Sequence, residues 1–147
     1  MTTRGCFNYK SLIIRTLDKI SVFNKCRKDF FCEVIILLLS IKGRINFLQL
    51  GRFGDFTEQR YRKQFEKPFP FLDFNKELTL SCGGNRFVIA FDPSYINKSG
   101  KKTPGVGWYW SGCAGQAKWG LEIGGLAAID LDNHTAFHLE AVQTLIQ

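Results

Sequence analysis

The chain has 147 residues, enough for one ordinary domain or two small ones. Hydrophobic residues make up 45% of the chain and charged residues 22%, a composition that excludes disorder along its length. The first twenty residues lack a continuous apolar stretch, and the most apolar segment, residues 30–41, is too short to span a bilayer. We therefore expect a cytoplasmic protein without a signal peptide or a membrane span.

The net charge of +7 is confined to the first half of the chain. Residues 1–80 contain 15 lysines and arginines against 8 aspartates and glutamates, whereas residues 81–147 contain 5 of each. A basic half beside a neutral half favours a polyanionic partner, nucleic acid above all, for the first half. The alternative is a solvated surface that is basic without a partner.

The five cysteines show no zinc or redox spacing, because no pair forms a C-x-x-C motif. An odd number of cysteines is typical of reduced, partly buried thiols in a cytosolic protein. The cysteines are Cys6, Cys26, Cys32, Cys82 and Cys113.

The first half predicts helices. Ile13, Leu17 and Ile20 recur at the spacing that places them on one helical face. The next segment, residues 31–39, is apolar nearly all round, which indicates a helix at the centre of a small bundle. Gly43 is expected to end that helix.

A short helix, a break and a basic helix are predicted next. Residues 44–50 predict the short helix, and two glycines within residues 51–56 break it. Thr57 is expected to cap a second helix that extends to Lys67, where two prolines follow. This is the layout of a helix-turn-helix reader, whose second helix enters the major groove of DNA. A solvated amphipathic helix is the alternative.

The helix predicted over residues 57–67 has two faces. Tyr61 and Phe65, spaced i, i+4, are expected to dock on the bundle. Another face gathers Arg60, Lys63, Gln64 and Lys67. The residues expected to contact DNA are Arg44, Arg60, Arg62, Lys63 and Lys67.

The second half predicts strands after a break of small residues at 81–85. The first strand, residues 86–91, is a short run of β-forming residues that is expected to end at Asp92. A loop over residues 97–107 follows. Two more strands are predicted over residues 119–131 and 134–143, with a tight turn at residues 132–133.

Asp92 is the sharpest candidate for chemistry. Because it follows four apolar residues where a central strand is expected to end, its carboxylate would lie at the rim of a sheet, within reach of a metal ion or a substrate. The alternative is a structural aspartate that caps a turn before Pro93.

Histidines and aromatic residues offer further candidates. His134 and His138, placed in one strand, lie about 13 Å apart at roughly 3.3 Å per residue, which is too far for one metal ion. We expect them to be packed or exposed strand residues. Trp108, Tyr109, Trp110 and Trp119 are expected to belong to the core, with stacking on unpaired bases as the alternative.

Several segments of the second half carry a family resemblance. They are residues 89–95 (IAFDPSY), 98–103 (KSGKKT), 107–115 (GWYWSGCAG), 118–125 (KWGLEIGG) and 132–136 (DNHTA). Together they resemble the bacterial insertion-sequence transposases of the DDE class. The likeness covers most of the chain and is strongest from Phe87 to Gln143.

The resemblance implies a ribonuclease-H-like catalytic domain that opens with three antiparallel strands. It implies that Asp92 is the first catalytic aspartate and a Mg²⁺ ligand, while the family's second Asp and its Glu would lie beyond residue 147. A two-metal site holds ions about 3.5–4 Å apart and needs several carboxylates. We therefore expect an inactive fragment that does not bind Mg²⁺ tightly. Four other acids are not expected to substitute: Glu122, Asp130, Asp132 and Glu140.

The sequence as a whole predicts an α+β protein. Residues 1–80 form a helix-turn-helix-like, DNA-binding helical bundle, and residues 81–147 form the first three strands of a truncated ribonuclease-H-like antiparallel sheet. The open sheet predicts low solubility or cover by a partner chain.

The function implied by the resemblance is DNA transposition by metal-dependent strand cleavage and transfer. The expected partners are the element's double-stranded terminal repeats, with self-association or pairing with a complementary transposase fragment, in the bacterial cytoplasm at the nucleoid. One alternative is a DNA-binding module that represses or competes with intact transposase. Another is an interaction protein with no DNA role.

Overall fold

A computed structural model describes residues 4–100 and 102–144, with side chains described from residue 9 onward. The described residues form five helices followed by a four-stranded antiparallel sheet, so the predicted α+β class is confirmed. The chain divides into two compact units, Met1–Phe74 and Asn75–Gln147. The boundary predicted between residues 80 and 81 lies later in the chain than this division and would fall inside the fifth helix. Among the described helices, none is both long and apolar enough to cross a membrane.

The first unit begins with two long helices, α1 (Arg4–Asp18) and α2 (Lys25–Ser40). The predicted apolar face of the first segment is buried, with Leu17 only 1% exposed. Asn24 begins α2 by accepting a 3.0 Å hydrogen bond from the backbone N–H of Arg27. Contrary to the prediction, α2 is not buried all round, because Leu38 and Leu39 are exposed.

The third helix, α3 (Phe47–Phe53), lies three residues later than predicted. It begins there because the side chain of Asn46 accepts a 2.9 Å hydrogen bond from the N–H of Gln49 and caps the helix. Gly51 does not break α3. A Cβ at Gly51 would lie 3.0 Å from the backbone nitrogen of Glu58, so this glycine allows the next helix to approach closely.

The fourth helix, α4 (Glu58–Phe65), follows after the four-residue turn of residues 54–57. The predicted cap is confirmed, since Thr57 Oγ1 accepts a 3.3 Å hydrogen bond from the N–H of Arg60. The helix ends two residues before the predicted end at Lys67.

A fifth helix, α5 (Phe71–Cys82), was not predicted. It starts directly after Pro70 and continues from the first unit into the second. Within the second unit, the Asn75 side chain donates a 2.8 Å hydrogen bond to the carbonyl oxygen of Leu139. This bond ties α5 to the sheet.

The sheet contains β1 (Phe87–Asn97), β2 (Gly107–Ser111), β3 (Gln116–Asp130) and β4 (Thr135–Gln143). The long β3 is the central strand: β1 pairs along one side of it, and β2 and then β4 pair along the other. The short β2 was missed by the sequence interpretation, which predicted three strands. The strands β2 and β3, and likewise β3 and β4, form hairpins joined by the short turns of residues 112–115 and 131–134.

An irregularity in β4 changes which face its residues occupy. The pairing of β4 with β3 shifts between Leu126 and Ala127, which leaves Leu139 as an extra, buried residue. Phe137 and Ala141 therefore lie on opposite faces, although uninterrupted alternation predicts the same face. The Asn75 amide satisfies the Leu139 carbonyl at this irregularity.

Candidate nucleic-acid interface

Helix α4 is anchored to the first unit by one face. Tyr61 at its centre is 0% exposed, and its ring packs against those of Phe30 and Phe56. Its hydroxyl donates a hydrogen bond to the carboxylate of Glu33 on α2. Burial raises the pKa of Tyr61, and the adjacent Glu33 raises it further, so the hydroxyl stays a neutral donor.

The same carboxylate fixes the turn that precedes α4. Glu33 Oε1 also accepts a 2.6 Å hydrogen bond from the backbone N–H of Asp55. Gly54 lies against this network, where an added Cβ would overlap the Tyr61 hydroxyl and come within 2.7 Å of Leu37 Cδ1. One side chain of α2 thus holds both the turn and the buried face of α4.

Arg27 of α2 holds the other end of α4. Its guanidinium donates hydrogen bonds to Gln64 Oε1 at 2.5 Å and to the carbonyl oxygens of Gln64, Lys67 and Pro68 at 3.0–3.3 Å. The group also lies 4.7 Å from the ring centroid of Phe31. A cation that donates to the last carbonyl groups of a helix compensates their missing partners and the helix dipole.

The opposite face of α4 is solvent-exposed and cationic. Gln59 and Lys63, one turn apart, lie at its centre and are exposed, and neither has a hydrogen-bond or ion-pair partner among the described residues. Arg60 flanks them on one side, 3.9 Å over the ring of Phe56. Arg62 flanks them on the other, paired with Glu58 at 2.6 Å. We call these four residues, Gln59, Arg60, Arg62 and Lys63, the outer face of α4.

The structure brings together only part of the predicted set. Arg60, Arg62 and Lys63 lie on the outer face, but Gln64 does not, because it is half-buried and bound to Arg27. Lys67 is exposed but lies beyond the end of α4. Arg44 is exposed in the loop before α3, outside either helix.

Two residues of this region were missed. Gln59 is uncharged, and the sequence interpretation selected cations, although its i, i+4 spacing from Lys63 already places it on the same face. Arg27 was missed because its partners lie 37 to 41 residues away, a pairing that no local pattern contains.

Asp92 does not end a central strand, so that prediction was wrong. It is the sixth of the eleven residues of β1, an edge strand that pairs only with β3 among the described residues, and it is exposed opposite Gly125. The strand continues through Pro93 because β3 is long enough to pair as far as Asn97, and proline is tolerated on an edge strand.

Two other carboxylates of the second unit are used to build its fold. Asp130 is 0% exposed and accepts hydrogen bonds from the N–H groups of Gly84, Asp132 and Asn133 and from the Asn133 amide, at 2.7–3.1 Å. Burial by itself would raise the pKa of Asp130, but these hydrogen bonds outweigh it and lower the pKa to about 2.

Asp132 closes the same turn onto the start of β1. Its carboxylate accepts from the N–H groups of Asn85 and Arg86 and pairs with the Arg86 guanidinium at 2.7 Å. The backbone N–H of Asn85 and then the Arg86 side chain lower its pKa. Both carboxylates therefore hold together the segment before β1 and the β3–β4 turn.

The described residues do not fit the two-metal site that the resemblance implies. Within residues 4–100 and 102–144, no three side chains of His, Cys, Asp or Glu are grouped closely enough to hold a metal ion. His138 is exposed on β4, whereas His134 lies in the β3–β4 turn with a φ of 52° and not in the strand predicted for it.

The described cysteines are free thiols, and two of the tryptophans lie on the surface. Of the described cysteine side chains, all four are free thiols and Cys32 is buried. Burial raises the pKa of the Cys32 thiol, which makes it less reactive. The expected burial was wrong for two tryptophans, since Trp108 is 66% exposed and Trp110 is 64% exposed.

The first unit presents an anchored helix with an exposed cationic face. Three of its cations lie on this helix, whose other face is fixed by Tyr61 and whose end is fixed by Arg27. Comparison of the chain with protein-family models, with curated proteins and with solved structures gave no match.

Proposed function

We propose that the first unit binds double-stranded DNA with the outer face of α4 in the major groove, as the DNA-binding part of a DDE-class transposase. The observation that carries the proposal is the exposure of Gln59 and Lys63 at the centre of the outer face. On the helix surface, Arg60 lies to one side of this pair and Arg62 to the other. The major groove admits an α-helix, and amide and cationic side chains make hydrogen bonds to base edges and phosphates there.

The turn before α4 supports this proposal. Helix-turn-helix motifs join their two helices through three or four residues, and residues 54–57 form a four-residue connection between α3 and α4. The turn is held by Glu33, and the far end of α4 is held by Arg27. A helix fixed at both ends loses little conformational entropy when it binds, which favours affinity.

Charge supports the same partner. The seven excess positive charges of the chain all lie within residues 1–80. Lys and Arg side chains that neutralise phosphates release condensed counterions, which supplies most of the affinity for DNA at low salt.

For the second unit, the proposal rests on the sequence resemblance. The antiparallel order β1–β3–β4 supports the opening strands of a ribonuclease-H-like domain. Asp92 is proposed as the counterpart of the family's first catalytic aspartate. In the part of the chain described, no three His, Cys, Asp or Glu side chains are grouped closely enough to hold a metal ion.

Duplex binding by the full chain tests the proposal. We expect a double variant, Arg60→Gln with Lys63→Gln, to bind a mixed-sequence duplex at least about tenfold more weakly than wild type at 0.15 M salt, since two phosphate or base contacts are lost. The matched control is Lys10→Gln with Arg15→Gln, which removes two charges from exposed positions on α1. The proposal fails if the wild-type chain does not bind duplex DNA, or if this control weakens binding as much as the α4 variant.

A further inference from the structure

The β2–β3 hairpin displays tryptophan side chains on one face of the sheet. Trp108 and Trp110 alternate with Tyr109 along β2, and Trp108 is paired with Trp119 of β3. The rings of Trp108 and Trp119 meet edge to face, with their centroids 5.9 Å apart. We call the face with these three tryptophans the Trp face.

Tyr109 explains why the two exposed rings stay on the surface. It is buried on the opposite face, and its hydroxyl lies 2.9 Å from the carbonyl oxygens of Gly105 and Thr144. The preceding loop is held as well, since the Gln143 amide donates a 2.7 Å hydrogen bond to Pro104 O. Because side chains alternate along a strand, fixing Tyr109 inward fixes Trp108 and Trp110 outward.

Charge in this part of the unit is segregated. The stretch from Lys98 to Leu121 contains four lysines and no aspartate or glutamate. Three of these lysines lie between residues 98 and 102, whereas Lys118 pairs with Tyr109 and lies on the opposite face. Lys98 and Lys102 are exposed in the loop that leads into β2. Among the strand residues, the only carboxylate on the Trp face is Asp92, opposite Gly125, six residues along β3 from Trp119 and so about 20 Å away.

We propose that the Trp face binds an unpaired DNA strand, whose bases stack on Trp108 and Trp110 and whose phosphates are attracted by Lys98 and Lys102. Exposed aromatic rings combined with positively charged side chains are used to bind single-stranded nucleic acid. Two residues along a strand span about 6.8 Å, twice the 3.4 Å rise between stacked bases, so the rings suit bases that are splayed apart. A duplex keeps its bases stacked inside and leaves no base face for these rings.

The test measures binding of the full chain to a labelled 12-nucleotide oligo(dT) in the presence of saturating unlabelled duplex, which competes for the outer face of α4. The decisive comparison is an abasic strand with the same length and charge. We expect oligo(dT) to bind at least about tenfold more tightly than the abasic strand and to quench tryptophan fluorescence. Equal binding of the two strands would overturn the proposal, as would tighter binding of oligo(U) than of oligo(dT).

Variants locate the site. The double variant Trp108→Ala with Trp110→Ala should lose the preference for oligo(dT) over the abasic strand, whereas Trp110→Phe, which keeps a ring, should retain most of it. The matched control is Phe91→Ala, a 66% exposed aromatic residue on the other face of the sheet. Unchanged binding by the double tryptophan variant, or an equal loss in Phe91→Ala, would contradict the proposal. Circular dichroism of each variant checks that a loss of binding does not result from unfolding.

This inference does not depend on the function proposed for α4. If the wild-type chain fails to bind duplex but prefers oligo(dT) to the abasic strand, only the proposed function fails. If it binds duplex but shows no such preference, only the inference fails.

Discussion

Gln59 and Lys63 are separated by one turn of α4, which corresponds to a rise of about 6 Å and hence roughly two base-pair steps. A glutamine amide can donate to and accept from adenine, and a lysine can donate to guanine. We therefore expect the preferred duplex to contain an adenine opposite Gln59 and a guanine within about two steps. Neither residue has a partner in the described part of the chain that would have to be released first.

Selection from randomised duplexes tests the role of Gln59. In Gln59→Ala the preference for adenine at one position should fall about 5- to 150-fold, the equivalent of about 1–3 kcal/mol, while affinity for unrelated duplexes stays close to that of wild type. The same selected sequence with the same affinity in Gln59→Ala would show that this residue does not read a base.

Asp130 makes the stability of the second unit depend on pH. Its pKa is lowered from 3.8 to about 2, so the folded state favours the ionised carboxylate. The resulting stability is fully present above pH 3.8 and is lost as the pH falls toward 2. Asp132, whose pKa is also lowered, adds a contribution of the same sign.

Urea unfolding followed by tryptophan fluorescence measures this effect, because all three tryptophans lie in the second unit. Wild type should lose stability steeply between pH 4 and pH 2, in the window set by the lowered pKa. Asp130→Asn should be less stable at neutral pH and should show a shallower loss over the same window. An identical pH dependence in the two proteins would mean that Asp130 does not have a lowered pKa.

At the scale of elements, the α3–α4 turn depends on the absence of a side chain at Gly54. The φ of Gly54 is −106°, which any residue can adopt, so space and not backbone conformation requires the glycine. A methyl group there would displace Tyr61, Leu37 or the Glu33 carboxylate. This contact joins three helices at one point.

We predict that Gly54→Ala destabilises the first unit by about 1–3 kcal/mol, the usual cost of overpacking. Chemical denaturation followed by circular dichroism measures the change. Gly112→Ala is the control, because a Cβ at Gly112 meets nothing within 4 Å. Equal stabilities of the two variants would argue against the close packing of the turn.

The elements that could be predicted from the sequence are those with a local signal. Periodicity predicted the buried face of α1, and the hydroxyl of Thr57 predicted the start of α4. The local signals failed where a distant partner decides the structure. The glycine at position 51 does not end α3, because α4 packs closely on it, and β1 continues past Asp92 because β3 supplies a pairing partner. The exposure of Trp108 and Trp110 also follows from a distant contact, that of Tyr109 with Thr144.

At the scale of the molecule, the net charge is divided unequally between the two units. The first unit carries the whole positive excess, part of it on the outer face of α4, whereas the second unit is neutral overall. Both units expose apolar side chains, and in the second unit these include Ile89 and Phe91 on edge strand β1. Long exposed edges with apolar residues favour association with another chain. Self-association therefore remains a prediction for the second unit, and DNA binding for the first.

The salt dependence of duplex binding tests the central claim most directly. If Arg60 and Arg62 on the outer face of α4 contact about two phosphates, log K should fall with log salt with a slope of about −1.8 for the wild-type chain. Arg60→Gln should make that slope shallower by about one, whereas Lys10→Gln should leave it unchanged. A wild-type slope near zero, or the same slope in Arg60→Gln as in wild type, would contradict the assignment of α4 as the DNA-binding helix.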